Sequence, residues 1–482
     1  MRSLGLDLGT SGVKALLIAE DQTVLASASA PLDVAYPASG HAEQDAGTWM
    51  QATKAAVLSL NDRVGTLDGV GGIGLSGQMH GATLIGEDDA PLHPCLLWND
   101  TRAHAEAAKM DADPRFREIT GNVVFPGFTA PKVAWLAKHH PALIARTRYI
   151  LLPKDALRLW LTGEAVSEMS DASGTSWLDV AARDWSDALL EATGLTRAHM
   201  PRLVEGTAVS GTLRADIADE LGLPAGIPVA GGAGDNAASA FGVGALSEGD
   251  AFVSLGTSGV LFVANDGYRP NAASAVHTFC HAAPGAWHQM GVILSAMGSL
   301  EWLSRLTGQS AAALSDAASG AYADSAVRFL PYLSGERTPH NDAAIRGAFL
   351  HLDQADGPPQ IARAVLDGIA FALADNQAAL REAGTEMARI FAVGGGARSA
   401  YLLQRIADVT GCAIDLADGA ELGAAFGAAR LGLIAATGAA PAEIATKPSV
   451  ARSVEPKDRQ AAEDAYAEWR TLYPALKELA RT

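Results

Sequence analysis

The string Leu8-Gly9-Thr10-Ser11-Gly12-Val13 recurs letter for letter as Leu255-Gly256-Thr257-Ser258-Gly259-Val260. Each copy stands between two apolar, β-prone runs that predict a hairpin. Two glycines tolerate positive φ and let a backbone N–H approach a ligand, and Thr and Ser add hydroxyl donors, a combination suited to phosphate. One Gly-Thr-Ser-Gly is an ordinary hairpin linker. Its duplication at matching points predicts two similar halves facing each other across a cleft, with an anionic ligand between them.

Other landmarks follow the same plan. In the first half Ser3–Leu8 and Val13–Ala19 flank the turn, Val24–Ser29 follows, and Gly72–Leu75 leads into Ser76-Gly77-Gln78. In the second, Ala251–Leu255 and Val260–Ala264 flank the repeat, and Ile390–Val393 leads into Gly394-Gly395-Gly396. Both halves close on helices containing Ala-Phe-Gly, at 240–242 and 425–427. Ile361, Ala364, Val365, Ile369, Ala372 and Leu373 recur at helical spacing, as a one-sided core helix requires. Strands mixed with such helices predict α/β layers. With 482 residues, two cores are expected: one domain over 1–246, a second over 247–440, and a helical extension over 441–482 docked on the second. Gly244–Asp250 is the expected hinge.

The charge balance narrows the partners. The net charge of −18 repels nucleic-acid backbones and anionic membranes, so neither is expected as a partner. A polyanionic nucleotide must then be held by local dipoles and a metal ion. Cys95, Cys280 and Cys412 are odd in number and far apart, which fits reduced thiols in the cytoplasm. Asp7 interrupts any apolar leader core. The apolar stretch Leu422–Ala440 contains Arg430 and is mostly Ala and Gly, which predicts a closely packed buried helix rather than a membrane span.

The two turns differ in their flanks. Asp7 and Lys14 bracket the first; Ser254 and Leu261 stand at those places in the second. Mg²⁺ takes one or two carboxylates and keeps several waters, so Asp7 is the metal-side candidate, with Thr10, Ser11 and Lys14 toward the phosphates. Gly256, Thr257 and Ser258 form the opposing phosphate wall. Asp235 follows Gly231-Gly232-Ala233-Gly234 and opens an Ala-rich stretch. An N-cap needs no such glycine run; clearance around a carboxylate suits a general base meeting a small polar substrate. Gly395 and Gly396 follow a strand and precede a helix, a platform for an adenine or ribose. Gln78-Met79-His80-Gly81 and Trp98-Asn99-Asp100-Thr101-Arg102 combine planar polar groups with an indole, as sugar sites do.

Three patterns are set aside. Gly69-Val70-Gly71-Gly72-Ile73-Gly74 precedes a strand instead of following one, so a dinucleotide fingerprint fails on context. His277, Cys280 and His281 lack a second ligand pair at zinc spacing. No Lys follows a Gly, so a Walker A loop is absent.

These residues resemble the FGGY family of carbohydrate kinases, within the actin, Hsp70 and hexokinase superfamily. The likeness runs from residue 4 to about 435 and is carried by Gln78–Gly81, Leu97–Asp100, Pro126–Lys132, Leu152–Asp155 and Leu333–His340. Within the family these segments are similar to those of members that phosphorylate D-xylulose on its 5-hydroxyl. The resemblance implies two ribonuclease-H-like domains around a deep cleft, with ATP and Mg²⁺ as nucleotide and metal. It implies Met79 and His80 at the sugar, Asp235 as base, and Asp7 at the metal. Thr10 and Thr257 would lie at the triphosphate, Gly395 and Gly396 near adenosine, with Trp98, Asp100 and Asn236 as further sugar contacts. It allows a homodimer, for which the residues carry no interface signal. The alternatives are a kinase for D-ribulose, L-xylulose or arabinitol, and an actin-like or Hsp70-like ATPase. The latter would not need the polar groups of Gln78–Gly81 and Trp98–Arg102.

Overall fold

The computed structural model describes residues 1–321, 325–418 and 423–479; Leu422, at the start of the apolar stretch singled out above, lies outside them. The fold is mixed α/β, with one large sheet in each half. The first sheet runs in the order Val209–Thr212, Pro228–Ala230, Val70–Gly77, Arg2–Leu8, Gly12–Ala19, Val24–Pro31. Its neighbours pair antiparallel, parallel, parallel, antiparallel and antiparallel along that path. The second runs Val450–Val454, Ala413–Ala417, Arg389–Val393, Ala251–Leu255, Gly259–Asn265, Trp287–Ile293. The same succession of directions holds, and His277–Cys280 adds a further antiparallel strand.

The repeated string does form a hairpin turn twice, but not the same turn. In the first copy Leu8 pairs with Val13 around a loop of Gly9 to Gly12. In the second Leu255 pairs with Gly259 around Gly256 to Ser258. A one-residue slip changes which side chains oppose each other across the hairpin. Asp7 therefore faces Lys14, whereas Ser254 faces Val260 and Leu261 is buried opposite Val253.

The halves are joined by backbone-close packing. Helix Ala424–Thr437, carried by the second half, lies on the first sheet and against helix Asp235–Val243. A Cβ on Gly5 would stand 2.1 Å from the Ala425 carbonyl oxygen, and one on Gly74 1.7 Å from that of Ala428. Between the helices, a Cβ on Gly427 would stand 1.7 Å from the Ala238 oxygen. Gly72 meets Gly432 in the same way. Gly72 and Gly74 belong to the motif set aside above, and their lack of side chains admits a helix rather than a dinucleotide. Among the described residues no helix is long and apolar enough to cross a membrane.

Helix Pro358–Glu382 runs through the second core, burying Ala364, Val365, Ile369, Ala372 and Leu373. The chain beyond residue 440 is not purely the helical extension expected. After the short helix Pro441–Ile444, Val450–Val454 extends the second sheet, and helices Arg459–Arg470 and Leu472–Leu479 follow. The strand was hidden because Val450 to Ser453 are exposed and show no apolar alternation; only edge pairing defines it. Ala462 and Trp469 are buried in the second core, with Ala465, Tyr466, Leu472 and Tyr473 packed against it.

Replacing Gly74 or Gly427 by alanine is expected to destabilise the protein by at least about 2 kcal/mol, because backbone must move to admit the methyl. Gly267, with nothing within 4 Å of its Cβ position, is the control. Urea denaturation of Gly74→Ala, Gly427→Ala and Gly267→Ala checks this, and equal midpoints for the three would refute it.

Candidate active site

Beside the second turn lies a cavity of about 290 Å³ whose wall includes Met79, His80, Trp98, Asp235, Ser258 and Arg337. Both halves line it, whereas the sequence assigned the sugar contacts to the first half alone. Its apolar walls are Met79, Phe125, Phe128, Phe279 and Val292. Such a lining, with a few convergent polar groups, is what a small ligand site needs.

Asp235 is the first residue of helix Asp235–Val243. The run before it is clamped: Arg158 donates to the Ala230 carbonyl at 2.7 Å and the Gly231 carbonyl at 2.5 Å. The Gly234 N–H donates to Ser170 Oγ at 3.1 Å. Asn236 turns the carboxylate, donating from its backbone N at 2.7 Å and Nδ2 at 2.9 Å to Asp235 Oδ1. Both bonds fall on one oxygen, and Oδ2 is left to accept a proton. Burial, then the Asp7 carboxylate, raise Asp235 to about 6, against the Asn236 bonds.

Burial also raises the Asp7 carboxyl, against the Ser76 hydroxyl and the pull of the Lys14 ammonium. Asp7 is in register with Ser76 on Val70–Gly77, whose hydroxyl is buried.

His80 takes φ 68°, and its ring stacks on Phe128 with centroids 4.5 Å apart. Nδ1 lies 2.9 Å from the Gly174 carbonyl oxygen. A carbonyl only accepts, so Nδ1 carries the proton and Nε2 remains an acceptor. Burial lowers the ring's pKa to about 3, which keeps it neutral. Trp98 is 46 % exposed, and its loop is fixed by Lys132 Nζ, which donates to the Leu96 and Leu97 carbonyls at 3.0 and 2.9 Å.

Some sequence candidates do not reach the cavity. Gln78 is buried; its Oε1 accepts from Thr10 Oγ1 at 3.0 Å and its Nε2 donates to Gln44 Oε1 at 2.9 Å. Asp100 is fully buried, accepting from Ala42 N at 2.7 Å and from Arg102 Nη2 at 2.7 Å. These two side chains hold loops in place. Thr10 gives its hydroxyl proton to Gln78 and accepts from Trp98 Nε1 at 3.0 Å, so at this turn the exposed Ser11 hydroxyl and the backbone face outward. In the second turn the carbonyls of Gly256 and Thr257 accept from Met297 N and from Ala296 and Gly298 N, leaving Thr257 and Ser258 exposed. Gly395 faces open space, but Gly396 is packed inward, with Leu255 Cβ 2.7 Å from its Cβ position.

Sequence reasoning missed Arg337, His277 and the phenylalanines. Arg337 lies inside Leu333–His340 and Phe128 inside Pro126–Lys132, two segments that carried the family resemblance, so the signal was present without a role attached. His277, set aside above as a zinc ligand, is buried in strand His277–Cys280 and has Nε2 at 3.2 Å from Arg337 Nη1. No local pattern marks it. Among the described residues no cluster of three or more His, Cys, Asp or Glu side chains could hold a metal.

Residues 3–242 match the model of the FGGY family of carbohydrate kinases, N-terminal domain, and residues 251–436 that of its C-terminal domain. The chain belongs to this family. A xylulose kinase of Escherichia coli strain K12 is 47% identical over 436 residues, with 90% of each chain covered. A xylulose kinase of Klebsiella pneumoniae is 44% identical over 98% of both. The solved structure of a xyloylose kinase from Brucella ovis superposes with a TM-score of 0.96 at 55% identity, covering 99% of this chain and 100% of that one.

If Asp7 and Asp235 share one field, Asp235 titrates near pH 6 in the free protein, and Asp7→Asn lowers that midpoint by removing a negative charge that opposes ionisation. Difference ¹³C-carboxyl NMR against Asp235→Asn checks this. An unchanged or higher midpoint in Asp7→Asn would refute the coupling.

Proposed function

We propose that the chain transfers the γ-phosphoryl group of ATP to the 5-hydroxyl of D-xylulose. One observation carries the chemistry: a carboxylate with one oxygen fixed by Asn236 and the other unbonded stands in a cavity lined by both halves. The substrate follows from relatives of nearly equal length whose names give xylulose as what they act on. The cytoplasm is the compartment that the three buried, free cysteines fit.

In this reading residues 1–246 supply the base and most sugar contacts, 247–440 the nucleotide side, and 441–482 a docked extension. The sugar lies with its C–H faces on Phe128 and Trp98, and His80 Nε2 accepts a hydrogen bond from one of its hydroxyls. Asp235 Oδ2 takes the proton of the 5-hydroxyl as that oxygen attacks phosphorus in line with the departing ADP oxygen. A base near pH 6 is ionised at neutral pH and still basic enough to accept. The backbone of Gly9–Gly12, with Ser11 and Lys14, faces the phosphates from one wall; Gly256, Thr257 and Ser258 face them from the other. Gly395 offers the open platform for adenosine.

Asp7 fits a Mg²⁺ ion, which takes one or two carboxylates and otherwise water and phosphate; its buried carboxyl stands beside the Ser76 hydroxyl and the Lys14 ammonium. Bound there, the ion supplies charge neutralisation for the triphosphate. Closure about Gly244–Asp250 excludes water, the competing acceptor.

Asp235→Ala is expected to lower kcat by roughly 10³-fold while ATP binding, followed by calorimetry, and the unfolding midpoint stay near wild type. A variant that keeps most of its turnover would remove Asp235 from the role of base. Coupled ADP release across D-xylulose, D-ribulose, L-ribulose, glycerol and gluconate tests the substrate, and comparable kcat/KM on several of them would overturn the narrow assignment.

A further inference from the structure

Among the described residues the withdrawn cations spend their N–H donors on carboxylates or on neutral oxygens of the protein, and Arg337 spends far fewer. Lys154 lies 2.6 Å from Asp155 and 3.4 Å from Asp171. Arg158 donates to Asp155 and to two carbonyls. Lys132 donates to two carbonyls, and Arg430 to Gln22, Phe241 and Gly242. Arg337 has no carboxylate within ion-pair distance among the described residues. Its one side-chain hydrogen bond there is from Nη1 to His277 Nε2 at 3.2 Å. The neighbouring Glu336 turns its Oε1 to the backbone N–H groups of Leu294 and Arg337.

A guanidinium carries five N–H donors, so most of those on Arg337 are unused by protein. Stacking over Phe125, 4.6 Å from the ring centroid, offsets part of its desolvation. Burial lowers its pKa only to about 10, so the charge persists. His277 adds no acceptor here, because a guanidinium cannot accept and Nε2 is already engaged by it. Arg337 and its His277 partner thus offer donors to a ligand and no acceptor.

Resting on the xylulose reading, we propose that Arg337 is a specificity-determining residue that binds the carbonyl end of an acyclic ketose. Asp235 and Arg337 line one enclosure, the carboxylate suited to a hydroxyl that loses a proton, the guanidinium to an oxygen that only accepts. A polyol places a hydroxyl where the ketose has its carbonyl, and the hydroxyl's proton then finds no acceptor, which penalises it. By the same chemistry a carboxylate in place of the carbonyl binds at least as well, paired with the otherwise unpaired cation.

The test uses the full chain, with D-xylulose against D-arabinitol and xylitol as substrates, and D-threonate, the carboxylate analogue truncated at the carbonyl carbon, as probe. Arg337→Gln should lower the ketose-to-polyol ratio of kcat/KM at least 10-fold, mainly through the KM for D-xylulose, and weaken D-threonate at least 10-fold. Arg337→Lys, which keeps the charge but loses the planar fork, should restore part of both and guards against a folding failure of the first variant. Equal losses on ketose and polyols in both variants would overturn the proposal. If the wild type ignores D-xylulose, the substrate reading fails and calorimetry decides the arginine separately. D-threonate binding lost in Arg337→Gln then supports the site; binding that is absent or unchanged overturns it.

Discussion

The contact on which the arrangement depends is the backbone-close seating of helix Ala424–Thr437 on the first sheet. Gly5 and Gly74 meet the carbonyls of Ala425 and Ala428, and Gly427 meets that of Ala238. The segment belongs to the second half by chain order and to the first by packing. Interiors this dense transmit displacement rather than absorb it. The same helix also reaches the helix that bears Asp235. Arg430 Nη1 donates to the carbonyls of Phe241 and Gly242 at 2.7 and 3.1 Å, occupying groups left open at that helix's C-terminal end. Asp235 and its helix are thereby held from both ends, by Arg158 and Ser170 before and by Arg430 behind.

Behind the glycine run sits a fully buried group of charges, Lys154, Asp155, Arg158, Glu168 and Asp171. Such groups add little net stability, because desolvation offsets their attraction. Their geometry explains their presence better. Arg158 holds the carbonyls of Ala230 and Gly231, at the start of the run, while Asp155, itself bonded by Lys154 and Ser167, compensates its charge. Glycines at 231, 232 and 234 give the run clearance but no side chains to fix it, with Gly232 at φ 78°. Rigidity must come from outside, and the buried arginine provides it.

How much of this could be read from the letters depends on how local each cause is. The duplicated string announced two hairpins and the cleft between them, since turn chemistry is a property of a few adjacent residues. The one-residue slip between the copies was not legible, because register is set by the strands beyond, where Asp7 opposes Lys14 and Ser254 opposes Val260. The purpose of Gly72 and Gly74 was equally hidden. Context excluded a dinucleotide, but the helix they admit enters the sequence some hundreds of residues later. Thr10 was legible as a turn residue and not as a partner of Gln78 and Trp98, a matter of tertiary contact. Asp235 was legible because glycine clearance and a helix start are both local signals.

The bonds around Thr10 join sites that the sequence presented as separate. Trp98 lines the cavity and gives its N–H to Thr10, which gives its own proton to Gln78. Gln78 then bonds Gln44, whose Nε2 returns to the Thr10 carbonyl at 2.7 Å. A ligand covering the indole removes water from the bond that fixes the turn, and a hydrogen bond in a drier setting is electrostatically stronger. Occupation of the cavity at the indole would thus stiffen the first turn through contacts already present. The second turn is placed differently: Ser258 lines the cavity directly, and Gly256 and Thr257 engage the start of helix Met297–Thr307 in their own half. Identical letters therefore sit in unlike surroundings, the first turn reaching the cavity only through Trp98 and the second touching it directly, and the asymmetry arises from what each turn touches.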